Sequence, residues 1–383
     1  MIKRFFSDGN VNRLYLHSAL RNVAEKISLV FGPLFLLQHG FGVVGTLLVL
    51  AAVYALRLPI RISYVYLYPK LGLKGGILLG TACYAASMLF LPWAGQKVFF
   101  VAYLLLFAAA ETFYWTAFNI FFGVLGAKEH RGKQLSMMVC VSLIALAGVP
   151  FLSAWIASTL SYFALFGLTA VLILLSAWPL LRLPYEHEEL PLFRESWKDP
   201  ANRWGLAFHF CNALHEVGPN FIWPVAVFLM MGNLMKFGTV TTAGLLVLAV
   251  LQLVVGMMVD KGRGYSLFKI GLGIYGLQYL LRAFVVTTPV GVVASEALTM
   301  GRLLMTQVDT DFYNMSKKAP NHFWYFYYGE VGFDVGGILV LLLAIGFYTA
   351  GLSLPLAIAA IALPGLVGTS VLILRSKIGK NLA

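Results

Sequence analysis

The sequence predicts an all-α integral membrane protein in which twelve transmembrane helices form two six-helix bundles. Hydrophobic residues make up 60% of the 383 residues and charged residues only 11%, whereas soluble domains average about 25% charged residues. A soluble core cannot take up this much apolar surface, so the excess has to face lipid. Apolar runs of about 20 residues recur along the chain, and this is the length that a helix needs to cross a bilayer.

Twelve apolar runs follow one another along the chain. They lie near residues 13–38, 41–67, 74–94, 97–125, 134–158, 161–181, 204–231, 236–259, 265–286, 290–315, 322–349 and 353–374. A polar stretch divides them, which gives an N-terminal six-helix bundle over 1–183, a linker over 184–203 and a C-terminal six-helix bundle over 204–383. The opening segment MIKRFFSDGN lacks the apolar core of a cleaved signal peptide. All three cysteines fall inside predicted spans, so they indicate no disulfide framework.

The basic residues predict the orientation of these spans. They cluster at the start of the chain, in alternate loops, in the central connection and at the end, as Lys3, Arg4, Lys70, Lys74, Lys128, Arg131, Lys133, Arg194, Lys198, Arg203, Lys261, Arg263, Lys269, Lys317, Lys318, Arg375, Lys377 and Lys380. The other side offers only Lys97, Lys236 and Arg282. Loops rich in lysine and arginine stay in the cytoplasm, so we expect both termini there and the chain in the inner membrane. The net charge of +12 is then a topology signal and indicates no nucleic-acid partner.

The two sets of spans align weakly with each other at an offset of about 190 residues. Asn22 aligns with Asn212, and after one residue of slippage Glu25 aligns with Glu216. Because six spans return the chain to the same side, such repeats would be parallel and related by a pseudo-two-fold axis along the membrane normal. Transporters built this way hold their substrate between the two bundles, near the midplane.

One loop carries a resemblance to a known family. The segment GMMVDKGRG after the eighth predicted span has Gly256, Asp260, Lys261 and Arg263 at the positions of the signature G-x-L-x-D-R-x-G-R-R. This loop resembles that of the major facilitator superfamily of secondary transporters. The resemblance implies alternating access by rocking of two bundles but names no substrate. We expect a secondary carrier of a small organic solute, not an enzyme.

This signature also predicts a cytoplasmic gate. Asp260, at the end of its span, can pair with cations or helix N-termini of a neighbouring helix and release them when the inner side opens. The first-half copy, YVYLYPKLGLKGG, keeps Lys70 but has Pro69 where the acid belongs. The expected gate residues are Lys70, Gly256, Asp260, Lys261 and Arg263.

Ionisable residues inside membrane helices cost about 2.5–3.5 kcal/mol each on insertion scales, so they usually face a cavity or a partner. In this chain they concentrate in spans 1, 2, 4, 7, 10 and 11, while spans 3, 5, 6 and 12 carry almost none. In the superfamily plan spans 1, 4, 7 and 10 line the central cavity. The expected substrate-binding residues are Asn22, Glu25, Arg57, Glu111, Tyr114, Trp115, Asn119, Asn212, His215, Glu216 and Arg302.

Span seven is predicted to kink beside Glu216. Gly218, Pro219 and Pro224 follow it, and each proline lacks the N–H that would bond the carbonyl four residues back. Span one repeats the design, with Pro33 after Glu25. Glu216 is therefore expected either to bind substrate or a proton at mid-depth, or to pair permanently with Arg302 or Arg57.

Glu330 and Asp334 are four residues apart, so they share one face of span eleven. Two carboxylates that close in a low dielectric cannot both carry charge cheaply, and one is expected to bind a proton. Glu216, Glu330 and Asp334 are thus the expected proton carriers, with the proton gradient as energy source and no other cofactor. The alternative is that Arg302 or nearby lysines neutralise the pair. The aromatic run FWYFYY, residues 323–328, is expected to form an interfacial belt.

Three other functions remain open at this stage. Cys211 and His215 share a helix face, which a metal-ion exporter of the ferroportin type would use, although no third ligand is evident. Arg57 and Arg61, with Arg302, could hold an organic anion, unless Arg61 only snorkels towards the membrane surface. A lipid or lysolipid translocase is the third alternative. The expected partners are a small-molecule substrate and the lipid bilayer, and the chain is expected to be a monomer.

Overall fold

A computed structural model of the protein describes residues 9–125, 146–182, 196–259, 264–284 and 288–381. Every secondary-structure element within these ranges is helical. The first half contains α1 (Gly9–Leu36), α2 (Gly42–Phe90), α3 (Lys97–Leu125), α4 (Val149–Thr159) and α5 (Tyr162–Ala177). The second half contains α6 (Pro200–Val217), α7 (Trp223–Met231), α8 (Leu234–Val259), α9 (Gly264–Phe284), α10 (Pro289–Ala297), α11 (Met300–Leu304), α12 (Thr306–Ser316), α13 (His322–Thr349) and α14 (Leu354–Asn381).

The chain reverses sharply at glycines between its first helices. Gly40 and Gly42, between α1 and α2, have φ of 90° and 63°. Gly72 has φ of 59° and divides α2 into two helical stretches. Residues with a Cβ rarely adopt this conformation, so these glycines allow three consecutive predicted spans to follow one another with minimal loops.

Six helical segments of the described ranges are long and apolar enough to cross a membrane, judged by length and composition. They are Leu16–Trp93, Lys97–Gly123, Tyr162–Leu181, Leu234–Leu251, His322–Thr349 and Leu354–Arg375. The first of them contains the glycine reversals and covers the predicted spans 13–38, 41–67 and 74–94. The number twelve stays a prediction.

The expectation of one continuous helix over 290–315 is wrong. The chain forms α10, α11 and α12 in succession, with turns at Leu298–Thr299 and at Met305. At the first turn the backbone N–H of Thr299 bonds the carbonyl of Glu296 at 3.0 Å, three residues back, so the regular four-residue pattern is lost. Close packing accompanies the break, because a Cβ on Gly301 would lie 2.6 Å from the backbone nitrogen of Tyr275.

The predicted kink in span seven is confirmed. α6 ends at Val217, a π-helical turn covers Gly218–Ile222, and α7 continues from Trp223. The matching prediction for span one is wrong, because α1 passes through Pro33 without a break and the irregular π-helical turn comes later, at Leu37–Phe41. Membrane helices tolerate an internal proline when neighbouring groups satisfy the freed carbonyl.

Contacts between distant segments define two ends of the molecule. At one end the rings of Tyr68 and Phe323 lie 4.6 Å apart, and the amine of Lys74 donates to the carbonyl of Leu181 at 2.7 Å. We call this the basic end. At the opposite end, the far end, the Tyr162 hydroxyl donates to the Gln38 side chain at 2.5 Å. That the basic end faces the cytoplasm stays a prediction.

The two halves of the chain meet along two helix pairs. α2 packs on α13, where a Cβ on Gly337 would lie 2.8 Å from the ring of Tyr54. α4 packs on α8, where a Cβ on Gly238 would lie 2.5 Å from that of Ala154. Glycine thus allows the closest approach at both seams, as small residues do between membrane helices.

Candidate functional site

Two arginines and two carboxylates form an ion cluster where α2 meets α13, which we call the seam cluster. Arg57 contacts Glu330 at 3.2 Å and Asp334 at 2.8 Å, and Arg61 contacts Asp334 at 2.7 Å and Glu330 at 3.4 Å. The side chains of Arg61 and Asp334 are 0% exposed. The arginines are four residues apart on one helix and the acids four apart on the other, so each pair presents one face to its partner.

The seam cluster corrects two expectations. Arg61 does not snorkel to the membrane surface, because Asp334 binds it inside the protein. Glu330 and Asp334 are neutralised by Arg57 and Arg61, not by Arg302 or by lysines. The cluster contains two positive and two negative charges, which balance. Neither Glu330 nor Asp334 therefore has to bind a proton to relieve the repulsion between them.

Neutral side chains of both halves add hydrogen bonds to the seam cluster. The amide of Asn119 donates to Glu330 at 2.8 Å, and the hydroxyl of Tyr313 donates to the amide oxygen of Asn119 at 2.7 Å. Arg61 also donates to the hydroxyl of Thr116. Asn119 thus lies in the interior, as predicted, but its observed partners are an acid and a phenol of the protein itself.

A second cluster, the amino-terminal triad, lies wholly within the first half. Arg21 contacts Glu25 at 2.6 Å and Glu111 at 3.5 Å. Its guanidinium lies 3.2 Å from the ring centroid of Tyr114, which adds a cation–π contact. The indole of Trp115 donates to Glu111 at 3.0 Å. Four predicted cavity residues therefore meet, around an arginine that was not on the expected list.

A third cluster, the carboxy-terminal triad, also joins one arginine to two carboxylates. Arg302 contacts Glu216 at 2.8 Å and Asp309 at 2.9 Å. Glu216 therefore pairs with Arg302, one of the two partners expected for it. Its side chain stays 24% exposed and that of Asp309 31%, whereas Arg21 is 1% exposed. The carboxy-terminal triad is thus the more open of the two.

The two triads share one electrostatic feature, since each offers one guanidinium to two carboxylates. When both carboxylates are ionised, a triad carries one negative charge that no cation within it neutralises. The members also correspond along the chain, because Glu25 and Glu111 each lie 191 residues before Glu216 and Arg302 respectively. This spacing matches the offset of the internal repeat, although the charge at the second position has changed sign.

A cavity of about 190 Å³ opens between the two halves, next to the π-helical turn. Its polar lining includes Lys26 of α1 and Asn220, Trp223, Thr241, Tyr275, Gln278, Arg282, Glu296 and Thr299 of the second half. We call it the inter-half cavity. None of these side chains is among the expected substrate-binding residues. Arg282, expected near the non-cytoplasmic end of its span, is 3% exposed and binds Glu296 at 3.1 Å.

The remaining predicted site residues lie near these clusters without joining them. Asn22 follows Arg21 on α1 and is half-buried. Asn212 and His215 are buried on α6, and neither the Asn212 amide oxygen nor the two His215 ring nitrogens have a hydrogen-bond partner within the described ranges. Cys211 is half-buried on the same helix, and its sulfur would lie 2.8 Å from a Cβ on Gly368. The described residues contain no group of three side chains suited to a metal ion.

The predicted gate falls mostly outside the part of the chain that the structure describes. Asp260, Lys261 and Arg263 lie beyond it. Gly256 belongs to α8, and Lys70 is exposed at the basic end. The gate therefore stays a prediction.

The aromatic run 323–328 does not form an interfacial belt. All six side chains are buried, between 0% and 4% exposed. Phe323 packs on Tyr64 and Tyr68 of α2, and a Cβ on Gly123 of α3 would lie 2.7 Å from the ring of Phe326. The run therefore closes the space between the two halves at the basic end.

Solved structures of two transporters are similar to this chain. The chain aligns with FucP, a major facilitator superfamily transporter, in its outward conformation at a TM-score of 0.69 and 18% identity, over 95% of this chain and 99% of that one. A variant of the E. coli fucose:proton symporter FucP aligns at 0.64 and 16% identity, over 95% and 97%. A bacterial homologue of the human drug peptide transporters PepT1 and PepT2 aligns at 0.67 and 12% identity, over 98% and 99%.

No family model and no curated protein matches the sequence. At 12–18% identity the structural likenesses establish the fold. Together with the apolar helices they indicate an integral membrane protein with several spans. The chain therefore has the fold of the major facilitator superfamily transporters.

Proposed function

We propose that this protein is a proton-coupled secondary transporter that moves a small organic solute across the inner membrane by alternating access. The fold supports a carrier, since the similar solved structures are transporters. One of them is a fucose:proton symporter, which is a precedent for coupling on this fold and says nothing of the solute here. The two domains 1–183 and 204–383, joined by the linker, are the proposed moving bodies.

The carboxy-terminal triad is the observation that carries the coupling. Arg302 neutralises one of its two carboxylates, and an unneutralised carboxylate inside a membrane protein is stabilised by binding a proton. Glu216 is also partly exposed and lies two residues before the π-helical turn that borders the inter-half cavity. Its carboxylate is therefore accessible for proton exchange. Glu330 and Asp334, whose charges are balanced, are less suited to this role.

The seam cluster is a separate observation that supports alternating access. All four of its charged side chains are buried, and its four ion pairs join α2 of the first half to α13 of the second. Separation of the halves at the basic end would break these contacts and admit water to the charges. Hydration of the charges would then offset part of the lost electrostatic attraction. Such a balance suits an interface that opens and closes.

The test uses the full chain in proteoliposomes with a pH-sensitive dye trapped inside. Pools of organic anions, cations, sugars and peptides are added separately, and proton flux is followed in the wild type and in Glu216→Gln. We expect one pool to drive flux in the wild type and the flux to fall at least tenfold in the variant, because glutamine cannot exchange a proton.

The matched control is Asp311→Asn. It removes a carboxylate from α12 that is two residues from Asp309, and positions two apart do not face each other on a helix. This variant should keep its flux. Equal flux in wild type and Glu216→Gln would contradict the proton role of Glu216, and silence of the wild type with every pool would contradict proton-coupled transport of these solutes.

A further inference from the structure

The lysine in the inter-half cavity is the starting point, because it forms no ion pair with the residues that the structure describes. Lys26 is half-buried in the middle of α1, and no carboxylate of the described residues lies within 4.0 Å of its amine. The described arginines of the interior each have at least one such partner, in the seam cluster, in the triads or at Glu296. An unpaired ammonium inside a membrane protein raises the free energy of the folded state, and a bound anion would stabilise it.

Glu296 is the carboxylate that interacts electrostatically with Lys26, but other donors already occupy it. One of its oxygens accepts from the indole of Trp223 at 2.6 Å and from the guanidinium of Arg282 at 3.1 Å. Arg282 also lies 4.2 Å from the ring centroid of Trp223. Glu296, Arg282 and Trp223 thus bind one another, and the charged side chains that line the cavity (Lys26, Arg282 and Glu296) sum to one positive charge.

Two polar atoms that belong to residues lining the cavity have no partner within the described ranges. One is a terminal nitrogen of Arg282 and the other is the amide oxygen of Gln278, and both side chains are at least nine-tenths buried. The amide nitrogen of Gln278 is engaged, because it donates to Thr299 at 2.6 Å and to the carbonyl of Ser295 at 2.8 Å. Its oxygen is therefore fixed as an acceptor, and a buried polar group left unpaired costs free energy.

The size of the cavity limits the ligand. About 190 Å³ is less than the 300–1,000 Å³ of sites for drug-sized molecules, and somewhat more than the roughly 150 Å³ that holds benzene in an engineered cavity. A solute of about ten non-hydrogen atoms fits such a space. A phospholipid or a peptide of several residues does not.

We propose that the inter-half cavity binds a small organic carboxylate, with Lys26 as its counter-ion and the wall groups of Gln278, Asn220 and Thr299 as hydrogen-bond partners for its hydroxyl groups. This assignment rests on the proposed transport function and names the substrate class of that carrier. An anion site was expected at Arg57, Arg61 and Arg302, but acids of the protein itself bind these arginines. The proposed anion site is therefore at Lys26. Transport of one such anion with one proton would carry no net charge across the membrane.

Binding is measured first, on the purified full chain in detergent, by calorimetric titration and by the shift in melting temperature. The probes are lactate, gluconate and benzoate, each compared with its uncharged amide. We expect at least one carboxylate to bind and its amide not to. Lys26→Gln should weaken that binding about ten- to a hundredfold, as loss of a charge-assisted contact does.

Two variants control for folding and for charge. Lys26→Arg keeps the cation and should bind within a fewfold of the wild type. Lys236→Gln makes the same charge change at an exposed site near the far end, outside the cavity lining, and should leave binding unchanged. Equal binding by wild type and Lys26→Gln, or loss of binding in Lys26→Arg and Lys26→Gln alike, would overturn the role of Lys26 as counter-ion.

The flux assay separates this inference from the proposed function. Carboxylate binding that depends on Lys26, without any proton flux, would uphold the site and overturn the coupled carrier. Proton flux driven by sugars or cations, with no carboxylate bound, would uphold the carrier and overturn the substrate class. Neither binding nor flux would overturn both.

Discussion

At the scale of single residues, the interior of this protein is organised by arginine. Arg21, Arg57, Arg61, Arg282 and Arg302 each contact a carboxylate. A planar guanidinium keeps its charge and offers five donors, so it can hold two acids at once. Lysine, with a compact and strongly hydrated ammonium, takes no part in these networks, and this leaves Lys26 available for a solute.

The first residue-scale prediction concerns Arg61. Arg61→Leu leaves Asp334 and Glu330 to share Arg57, so a buried negative charge is uncompensated. We expect the free energy of unfolding, measured by denaturing-detergent titration in mixed micelles, to fall by about 3–5 kcal/mol. The double variant Arg61→Leu/Asp334→Leu keeps one charge of each sign, on Arg57 and Glu330, and should lose clearly less. A double variant no more stable than the single one would contradict this pairing.

At the scale of elements, α13 is the helix on which the second half and the seam are assembled. A methyl group on Gly332 would overlap the carbonyl oxygen of Leu206 in α6, and one on Gly336 would lie 2.7 Å from the Cβ of Ala213 in the same helix. Farther along, Gly346 has no atom within 4 Å of such a methyl group. Only the former glycines are required by packing.

Because of this difference, glycine-to-alanine substitutions at the two positions of α13 should have opposite effects on stability. Gly332→Ala should lower the free energy of unfolding by about 1–3 kcal/mol, because the overpacked methyl forces α6 and α13 apart. Gly346→Ala should leave stability unchanged or raise it by up to about 1 kcal/mol, because alanine is the better helix former. Both are measured by the same mixed-micelle titration, and equal effects would show that α6 and α13 do not pack as described.

Sequence reasoning located the elements better than it located their irregularities. The break in span seven followed from two prolines, since a missing N–H has a local effect that can be read from the chain. The break in span ten has no proline within it and depends on contacts such as that of Gly301 with Tyr275, which only the packed structure supplies. For the same reason the continuity of α1 through Pro33 was not foreseen.

The candidate site shows the same division. The charged residues and the helices that carry them were predicted, because a charge in an apolar run is evident in the sequence. Their ion-pair partners were not predicted, because partners such as Arg57 and Glu330 lie 273 residues apart in the sequence. One signal was present: the four-residue spacing of Arg57 and Arg61 equals that of Glu330 and Asp334, and equal spacing of opposite charges on two helices favours pairing. Lys26 carried no such signal.

At the scale of the whole molecule, the two halves are held together at the basic end by the seam cluster and by buried aromatic rings. If alternating access operates, weakening the cluster should favour the state that is open at this end. A reporter is available in Ser316, which is 0% exposed and lies beside Gly123 of the other half. Its hydroxyl bonds the carbonyl three residues back, so cysteine replaces it with little change.

We therefore predict the labelling rate of Ser316→Cys in a background without native cysteines. A membrane-impermeant thiol reagent should react slowly, and at least fivefold faster when Arg61→Leu/Asp334→Leu is added. Ser176→Cys is the matched control, because Ser176 is equally buried and makes the same three-residue bond but lies between α5 and α1 of one half. Acceleration at both positions would indicate general loosening and contradict opening at the seam.

The seam cluster also has a consequence for how this protein can change over generations. Its four charges neutralise one another in pairs across two distant stretches of the chain. Loss of any one of them leaves a buried charge without a partner, and the desolvation cost of that charge is then not offset. A lineage cannot replace them one at a time without passing through a poorly folding intermediate. Among descendants of this sequence, residues 57, 61, 330 and 334 should therefore be inherited as a set, retained together or exchanged in matched pairs.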